Sequence, residues 1–282
     1  MPSPFLSIVT ISYNQKQFLK QALESVAAQK TNDVEYIVVD PGSTDGSRAL
    51  IESYAHMIDH VILKPDKGPA DGLNHGFAKA TGCYGYFLNA DDFLLPHAIK
   101  QIRQLLAGKP EKQVLSCGAW LVDAQTNPLR QLYPVPVTTK SLALGRDVLV
   151  QQGFAFNMKL FRAVGGFNPE NHSCWDRELL CAMLVHGAAC HINETPIGAF
   201  RLHAASLSGG VNGEKHNARY ARDQQRLCEI YANQMPDNKS GLGAILRRVA
   251  KHLRSPKHSL TTIFDALQPK LRAARFEKDC RL

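Results

Sequence analysis

The chain has 282 residues, 44% of them hydrophobic and 21% charged, with a formal net charge of +8. This is an ordinary globular composition, with apolar mass enough for one large or two small domains, and it excludes disorder over most of the length. No apolar run reaches the about 18 residues of a spanning helix, and Met1-Pro2-Ser3-Pro4 does not open a secretory signal, so neither is expected.

Taken in order, Leu6 to Ile11 is a β-branched run suited to a buried strand, broken by Ser12-Tyr13-Asn14. Phe18, Leu19, Ala22, Leu23 and Val26 then mark one face of a helix. Tyr36 to Val39 predicts a second strand, ended by the turn formers Asp40 to Ser47; a helix follows through Ala49, Leu50 and Tyr54, then a strand at Val61 to Leu63. Asn74 to Ala80 predicts a helix, and Tyr84 to Leu88 a strand running into Asn89-Ala90-Asp91-Asp92. This alternation predicts an α/β fold whose mostly parallel sheet is flanked by helices. In such sheets ligands bind at the carboxyl ends of strands, where Thr10 to Asn14, Asp40 to Ser47 and Asn89 to Asp92 fall.

Past residue 110 the pattern predicts a strand at Val114 to Val122, an irregular or edge segment at Pro128 to Val137, and a strand at Gln151 to Phe156. Helices are predicted at Lys159 to Val164 and Trp175 to His186, and from Asn217 to the end. Seven cysteines, odd in number and without Cys-x-x-Cys spacing, predict reduced thiols of a cytoplasmic protein rather than disulfides or a structural zinc site. Between Ala244 and Leu282 ten Lys and Arg face only three acids, leaving the body near neutral, so no nucleic-acid partner is expected.

Adjacent Asp91 and Asp92 at a strand end can hold a hard divalent cation completed by substrate phosphates, or can cap the helix beginning near Pro96. Asp40 and the Gly-Ser-Thr-Asp-Gly-Ser loop after it can receive a nucleotide or simply form a turn. Neither a Walker A motif nor Gly-x-Gly-x-x-Gly is present, which weakens ATPase and dinucleotide-dehydrogenase readings.

In order, Ser7-Ile8-Val9-Thr10-Ile11-Ser12-Tyr13-Asn14, Val39-Asp40-Pro41-Gly42-Ser43-Thr44-Asp45-Gly46-Ser47 and Asp66-Lys67-Gly68-Pro69-Ala70-Asp71-Gly72-Leu73-Asn74-His75-Gly76 are followed by Leu88-Asn89-Ala90-Asp91-Asp92, Val164-Gly165-Gly166-Phe167 and Trp175-Asp176-Arg177-Glu178-Leu179. The ordered set resembles family 2 glycosyltransferases of the GT-A fold, and among them bacterial enzymes that build O-antigen, capsule and other surface polysaccharides. The resemblance covers about residues 4–210. It implies a GT-A domain over 1–210, with a nucleotide-binding part at 1–110 and an acceptor-side part at 111–210, and a basic, mostly helical C-terminal extension at 211–282.

The resemblance further implies an inverting transfer of a hexosyl group from a nucleoside diphosphate sugar, a UDP-sugar first among candidates, to a saccharide or polyprenyl-linked saccharide. Thr10, Tyr13, Asp40, Asp71, Asn74, Asn89 and Asp92 would form the nucleotide and donor pocket, with Asp40 on the base. Asp91, in the place of the family's Asp-x-Asp motif, would bind Mn²⁺ or Mg²⁺ with His203 of Arg201-Leu202-His203-Ala204-Ala205-Ser206; the motif's first position is Asn89 here. Asp176 would be the general base, with Glu178 as competitor. Two residues apart on a helix they lie about 200° around it, so both cannot face one site. Trp175 would line the acceptor pocket or pack in the core, and Asp176 could also serve only the helix dipole. Two alternatives are a sugar nucleotidyltransferase and a non-catalytic carbohydrate-binding scaffold.

The tail splits at Pro256 into two basic amphipathic stretches, 243–254 and 259–276. These suit an anionic membrane surface, making the protein peripheral on the inner face of the cell membrane, or else docking on the catalytic domain.

Overall fold

The β-branched run Leu6–Ile11 forms β1, the first strand of a parallel sheet, and it is followed by α1 (Lys16–Ala27), β2 (Val34–Val39), α2 (Ser47–Ser53), β3 (His60–Ile62), α3 (Pro69–Phe77) and β4 (Tyr84–Asn89). The computed structural model describes residues 3–108, 113–147, 149–206, 213–232 and 269–281. The second half adds β5 (Phe93–Leu94), α4 (Ala98–Leu106), β6 (Gln113–Val122), β7 (Pro128–Leu132), α5 (Thr139–Ala143), β8 (Phe154–Asn157), α6 (Met158–Ala163), α7 (Trp175–Val185) and β9 (Ala189–Arg201). Helices α8 (Gly213–Leu227) and α9 (Pro269–Arg281) complete the described chain.

The strands form one sheet in the order β3-β2-β1-β4-β8-β6-β9-β5, with β7 paired to β6. The β3-β2-β1-β4 half is wholly parallel. Beyond β4 the sheet is mixed: β8 runs antiparallel to both β4 and β6, while β6 and β9 are parallel. Because the chain leaves β1 toward β2 and returns past it to β4, the reversal of strand order falls at β1 and β4, where such sheets bind ligands.

Alternate residues of the central strands feed two cores. Leu6, Ile8, Tyr36 and Val38 pack with Leu19 and Leu23 of α1, Ile51 of α2 and Ile99 and Ile102 of α4. Val9, Ile37, Val39 and Phe87 pack on the opposite face with Leu73 and Phe77 of α3, Phe161 of α6 and Leu179 and Leu180 of α7. Each fully buried side chain of this size contributes about 1.5–3 kcal/mol. Gly76 lets α3 lie against the sheet, since a Cβ there would stand 2.4 Å from Cγ1 of Val9.

Several boundaries differ from the sequence reading. Helix α3 begins at Pro69 rather than Asn74, because proline's fixed φ suits the first helical turn. Gln151–Gly153 is a 3₁₀ turn rather than a strand, its glycine pressed against the Cys117 backbone. The 13-residue β9 was not predicted: Asn193 to Pro196 and Gly198 interrupt its apolar alternation, and its register with β6 shifts around Gly118. Helix α8 docks on α7: Arg177 donates to Oη of Tyr220 at 2.8 Å, and Arg226 to Glu178 at 2.6 Å.

Of the two tail stretches, 243–254 and 259–268 lie outside the described residues. The described part of the second stretch, from Pro269, is helical. Helix α9 docks on the sheet: Phe276 packs edge-on against Trp120, whose indole N–H donates to Asp279 at 2.8 Å. No described helix is long and apolar enough to cross a membrane, and all seven cysteines are free.

Candidate active site

Register sets three strand ends flush. Ile11 lies opposite both Val39 and Asn89, and the ladder continues one residue further through Ser12 N–H to Val39 O at 2.9 Å and Ala90 N–H to Ile11 O at 3.0 Å. The loops after β1, β2 and β4 therefore leave one edge together.

Asn14, in the left-handed region at φ 52, joins two of these loops. Its N–H donates to Ser43 Oγ at 2.8 Å, and its Oδ1 accepts from Thr44 N–H at 2.9 Å. Asp40 is fully buried. Its Oδ1 accepts from Gly42 N–H, Ser43 N–H and Arg48 Nε at 3.0, 2.8 and 3.1 Å. Its Oδ2, and the Ser12 hydroxyl on the adjacent strand, are buried without a partner among the described residues. A buried carboxylate oxygen without a donor is costly, and this one can accept an N–H from a ligand. Tyr13 stands 61% exposed beside them, an aromatic face open for stacking. Thr10 is different: its side chain is fully buried in the sheet and its hydroxyl pairs with Oη of Tyr36 at 3.0 Å.

On α3, Asp71 accepts the Lys67 backbone N–H at 3.0 Å. Asp66 is held above the usual carboxylate range chiefly by burial and secondarily by the charges of Asp71 and Asp40. Asn74 clamps the Gly165-Gly166-Phe167 turn: its Nδ2 donates to Phe167 O at 2.7 Å and its Oδ1 accepts Phe167 N–H at 2.9 Å.

The Asn89-Ala90-Asp91-Asp92 loop separates two neighbouring carboxylates. Asp92 is buried, its Oδ1 taking Arg201 N–H at 2.9 Å and its Oδ2 taking Gln152 Nε2 at 2.8 Å and Asn89 Nδ2 at 3.2 Å. Burial, with the charge of Asp91, pushes its carboxyl well above the usual range. Asp91 is partly accessible and has its Oδ2 3.0 Å from Nε2 of His203. The His203 ring packs on Phe18, centroids 4.5 Å apart. Arg201, also buried, reaches under the loop: Nε donates to Asp91 O at 2.9 Å, Nη1 to Thr126 Oγ1 at 2.9 Å, and Nη2 to Gln21. Ser206 closes the turn by donating to His203 O at 2.8 Å.

At the start of α7 the two acids part company as their spacing predicts. Glu178 is buried and accepts from Asn168 at 2.9 Å, Asn171 at 2.6 Å and Arg226 at 2.6 Å. Asp176 has no side-chain hydrogen-bond or ion-pair partner among the described residues, and burial raises its pKa, opposed by the charge of Arg177 and by the backbone N–H groups at the start of α7. The neighbouring Trp175 is buried with its indole N–H unpartnered. No described contact joins Asp176 directly to Asp40 or Asp91; it is connected through α3, because Trp175 shares a core with Val9, Leu73 and Phe87.

Among the described residues no group of three or more His, Cys, Asp and Glu is gathered to hold a metal. Asp91 and His203 offer a carboxylate oxygen and an imidazole nitrogen, a donor set that suits Mn²⁺ or Mg²⁺ only if phosphate oxygens and water complete it. The donor set fits a cation that arrives with a diphosphate. Sequence reasoning missed Arg48 on Asp40, the Gln151-Gln152 pair under Asn89 and Asp92, and the burial of Arg201. Only Arg201 carried a signal, as an arginine ending the apolar run Ile197 to Phe200.

Residues 7–162 match the sequence profile of glycosyl transferase family 2. An uncharacterized glycosyltransferase of Mycobacterium tuberculosis is 27% identical over 241 residues, covering 81% of this chain and 90% of that protein. Staphylococcus aureus TarS 1–349, solved with UDP-GlcNAc, is 16% identical with TM-score 0.58, covering 81% of this chain and 74% of that one. The mannosyltransferase PcManGT of Pyrobaculum calidifontis, solved with GDP-Man and Mn²⁺, is 15% identical with TM-score 0.56, covering 96% and 89%. These two share the fold, a GT-A glycosyltransferase architecture. The profile spans more than half of the chain and contains the strand-edge loops assembled above, so the protein belongs to glycosyl transferase family 2 and is a glycosyltransferase.

Proposed function

We propose that the protein transfers a hexosyl group from a nucleoside diphosphate sugar to a saccharide or polyprenyl-linked saccharide, in one displacement with inversion, in the assembly of a bacterial surface polysaccharide. One observation carries this reading: Asp92 and Glu178 have both carboxylate oxygens engaged by side chains or backbone from other elements, whereas Asp176 keeps a carboxylate without a side-chain partner among the described residues. A retaining route needs a second carboxylate free to act as nucleophile, and Glu178 is not free.

In this mechanism the nucleoside base enters between Tyr13 and Asp40. Tyr13 stacks on it, and the unpartnered Oδ2 of Asp40 accepts its N–H. A UDP-sugar suits that acceptor, and nucleotide sugars are the ligands named for TarS and PcManGT. Asp91 and His203 would hold a divalent cation, which when bound offsets the charge developing on the departing diphosphate. Asn89 and Asp92 hold the loop carrying Asp91 in register through Gln151 and Gln152. Asp71 and Asn74 shape the sugar side of the pocket through the loop at 66–68 and the turn at 165–167. Asp176 takes the proton of the acceptor hydroxyl as its oxygen bonds to the anomeric carbon and the bond to the β-phosphate oxygen breaks. A pKa raised by burial makes it a stronger base than an exposed aspartate. The basic charge of 243–276 supports an anionic membrane surface as a further partner, although the described part of that stretch, from Pro269, packs on the sheet.

The test is a panel of UDP-, GDP- and dTDP-sugars with Mn²⁺, read by thermal shift and by donor turnover. One donor class should raise the Tm and be consumed. Asp176→Asn should keep the thermal shift and lose turnover. No shift with any donor, or turnover unchanged in Asp176→Asn, overturns the proposal.

A further inference from the structure

Where the loop after β3 meets α8, the protein holds a cavity of about 370 Å³ lined by Lys67, Gly68, Pro69, His172, Arg219 and Arg222. Three of its four ionisable walls are cations at neutral pH, and no carboxylate lines it among the described residues. The walls come from separate elements. Lys67 and Gly68 precede α3, His172 precedes α7, and Arg219 and Arg222, three residues apart on one face of α8, close the far side.

The arrangement is fixed by its surroundings and leaves two of the three cations without an ion-pair partner among the described residues. Buried Asp223 anchors α8 by accepting His172 N–H at 3.0 Å and Ser173 Oγ–H at 2.7 Å. Arg222 reaches this carboxylate only at 3.6 Å and stays 64% exposed. Lys67 and Arg219 have no ion-pair partner among the described residues, and Asp71 engages the Lys67 backbone rather than its ammonium. Gly68 stands at φ +133 with a Cβ position 3.3 Å from Nδ1 of His172, so the close approach of the ring to this loop depends on glycine. The positive end of α3 opens from the same loop. Cations converging on a cavity, two without an ion-pair partner among the described residues and the third only loosely paired with Asp223, recognise an oxyanion, and two guanidiniums with an ammonium suit the several oxygens of a phosphoryl group.

We infer that this cavity binds a phosphoryl group carried by the acceptor. The inference rests on the transferase reading, because it takes its place from Asp176: His172 lies four residues before the base, on the short segment that leads into α7. The donor diphosphate belongs to Asp91 and His203 at the ends of β4 and β9, on other elements. A phosphoryl group held by α8 and the loop before α3 orients a neighbouring acceptor hydroxyl toward Asp176. The substrate class is therefore a phosphate-bearing acceptor, a prenyl phosphate-linked sugar or a phosphodiester polymer.

The test follows the ring signals of His172 by NMR in the full chain with labelled histidine, assigned with His172→Gln. Inorganic phosphate and farnesyl phosphate are titrated without any donor, with farnesol as the uncharged control. Saturable movement of His172 through the millimolar range is expected with both phosphates and not with farnesol. Tighter binding of farnesyl phosphate identifies a lipid-linked source; equal binding identifies the phosphate alone. Arg219→Gln with Arg222→Gln should raise the Kd at least ten-fold, and Lys67→Gln several-fold, while Asp91→Asn leaves it unchanged. An unmoved His172, or movement equal in the double variant, overturns the inference. Because the readout needs no donor, that result would leave the Asp176→Asn test of the transferase reading intact.

Discussion

The backbone N–H of Arg201 donates to the buried carboxylate of Asp92 at 2.9 Å, tying the end of β9 to the loop after β4. The same arginine donates a second bond from its side chain, Nε to Asp91 O at 2.9 Å. The accessible Asp91 is thus aimed by two buried residues that touch no solvent. Asp92→Ala leaves the Arg201 N–H without an acceptor and releases Gln152, at a cost of about 3 kcal/mol. The expected outcome is a lower denaturation midpoint together with loss of donor-induced thermal shift. A variant with unchanged midpoint would mean the loop is held by something else.

Asp176 and Glu178 give a contrast that activity and stability measurements separate. Asp176→Asn should lower turnover by about 100-fold or more and leave the fold intact, since no partner is lost. Glu178→Gln puts an amide against Asn168, Asn171 and Arg226, and should destabilise by about 2–3 kcal/mol while retaining part of the activity.

The pH dependence follows from the raised pKa of Asp176. The base works only when ionised, so turnover should rise with pH through a value above the 3.8 of an ordinary aspartate. Stability should move the other way. Burial favours the protonated form in the folded state, so the ionised carboxylate lowers stability as pH rises from the ordinary value through the raised one. Asp176→Asn should remove that decline, as measured by urea midpoints across the acid range, and be neutral or slightly stabilising near pH 7.

The parallel half of the fold was legible because β1, β2 and β4 are buried on both faces and so read as continuous β-branched or aromatic runs, with turn formers at their ends. The convergence of the Ser12, Asp40 and Asn89 loops followed from that pattern alone. Strand β9 was not legible, because it pairs in a shifted register and carries Asn193, Glu194 and Pro196 within it. The site was legible in residue types but not in their duties. Thr10, Asn74 and Asp92 look like ligands in a motif, yet their polar atoms face Tyr36, Phe167 and Arg201, partners 26 to 109 residues away. Long-range pairing of that kind leaves no local trace in one sequence.

His203 should matter through the cation that Asp91 would share with it. Its ring is held by Phe18 and its Nε2 already points at Asp91 Oδ2. His203→Ala should raise the Mn²⁺ concentration giving half-maximal turnover by about ten-fold or more, with little change in donor KM at saturating metal. A chelator should abolish turnover and added Mn²⁺ restore it. Metal-independent turnover would remove Asp91 and His203 from this role.

Helix α9 makes a prediction about the tail. Trp120 is fully buried beneath it, capped by Phe276, approached by the Arg275 guanidinium at 5.8 Å from the ring centroid, and hydrogen-bonded to Asp279. Burial raises the Asp279 carboxyl, and the indole N–H opposes this by favouring the ionised form. Asp279→Ala leaves a buried indole N–H without an acceptor, a cost of about 1–3 kcal/mol. The chain has two tryptophans, so Trp175→Phe isolates the Trp120 emission. In that background, removal of 269–282 should shift the emission to the red and lower the Tm, because the sheet loses its cover. Anionic vesicles should leave the emission of the full chain unchanged, since a helix anchored through Phe276 and Asp279 has its apolar face already occupied. A red shift on vesicles would instead mean that the membrane draws α9 off the sheet, and that docking and membrane binding compete for one face.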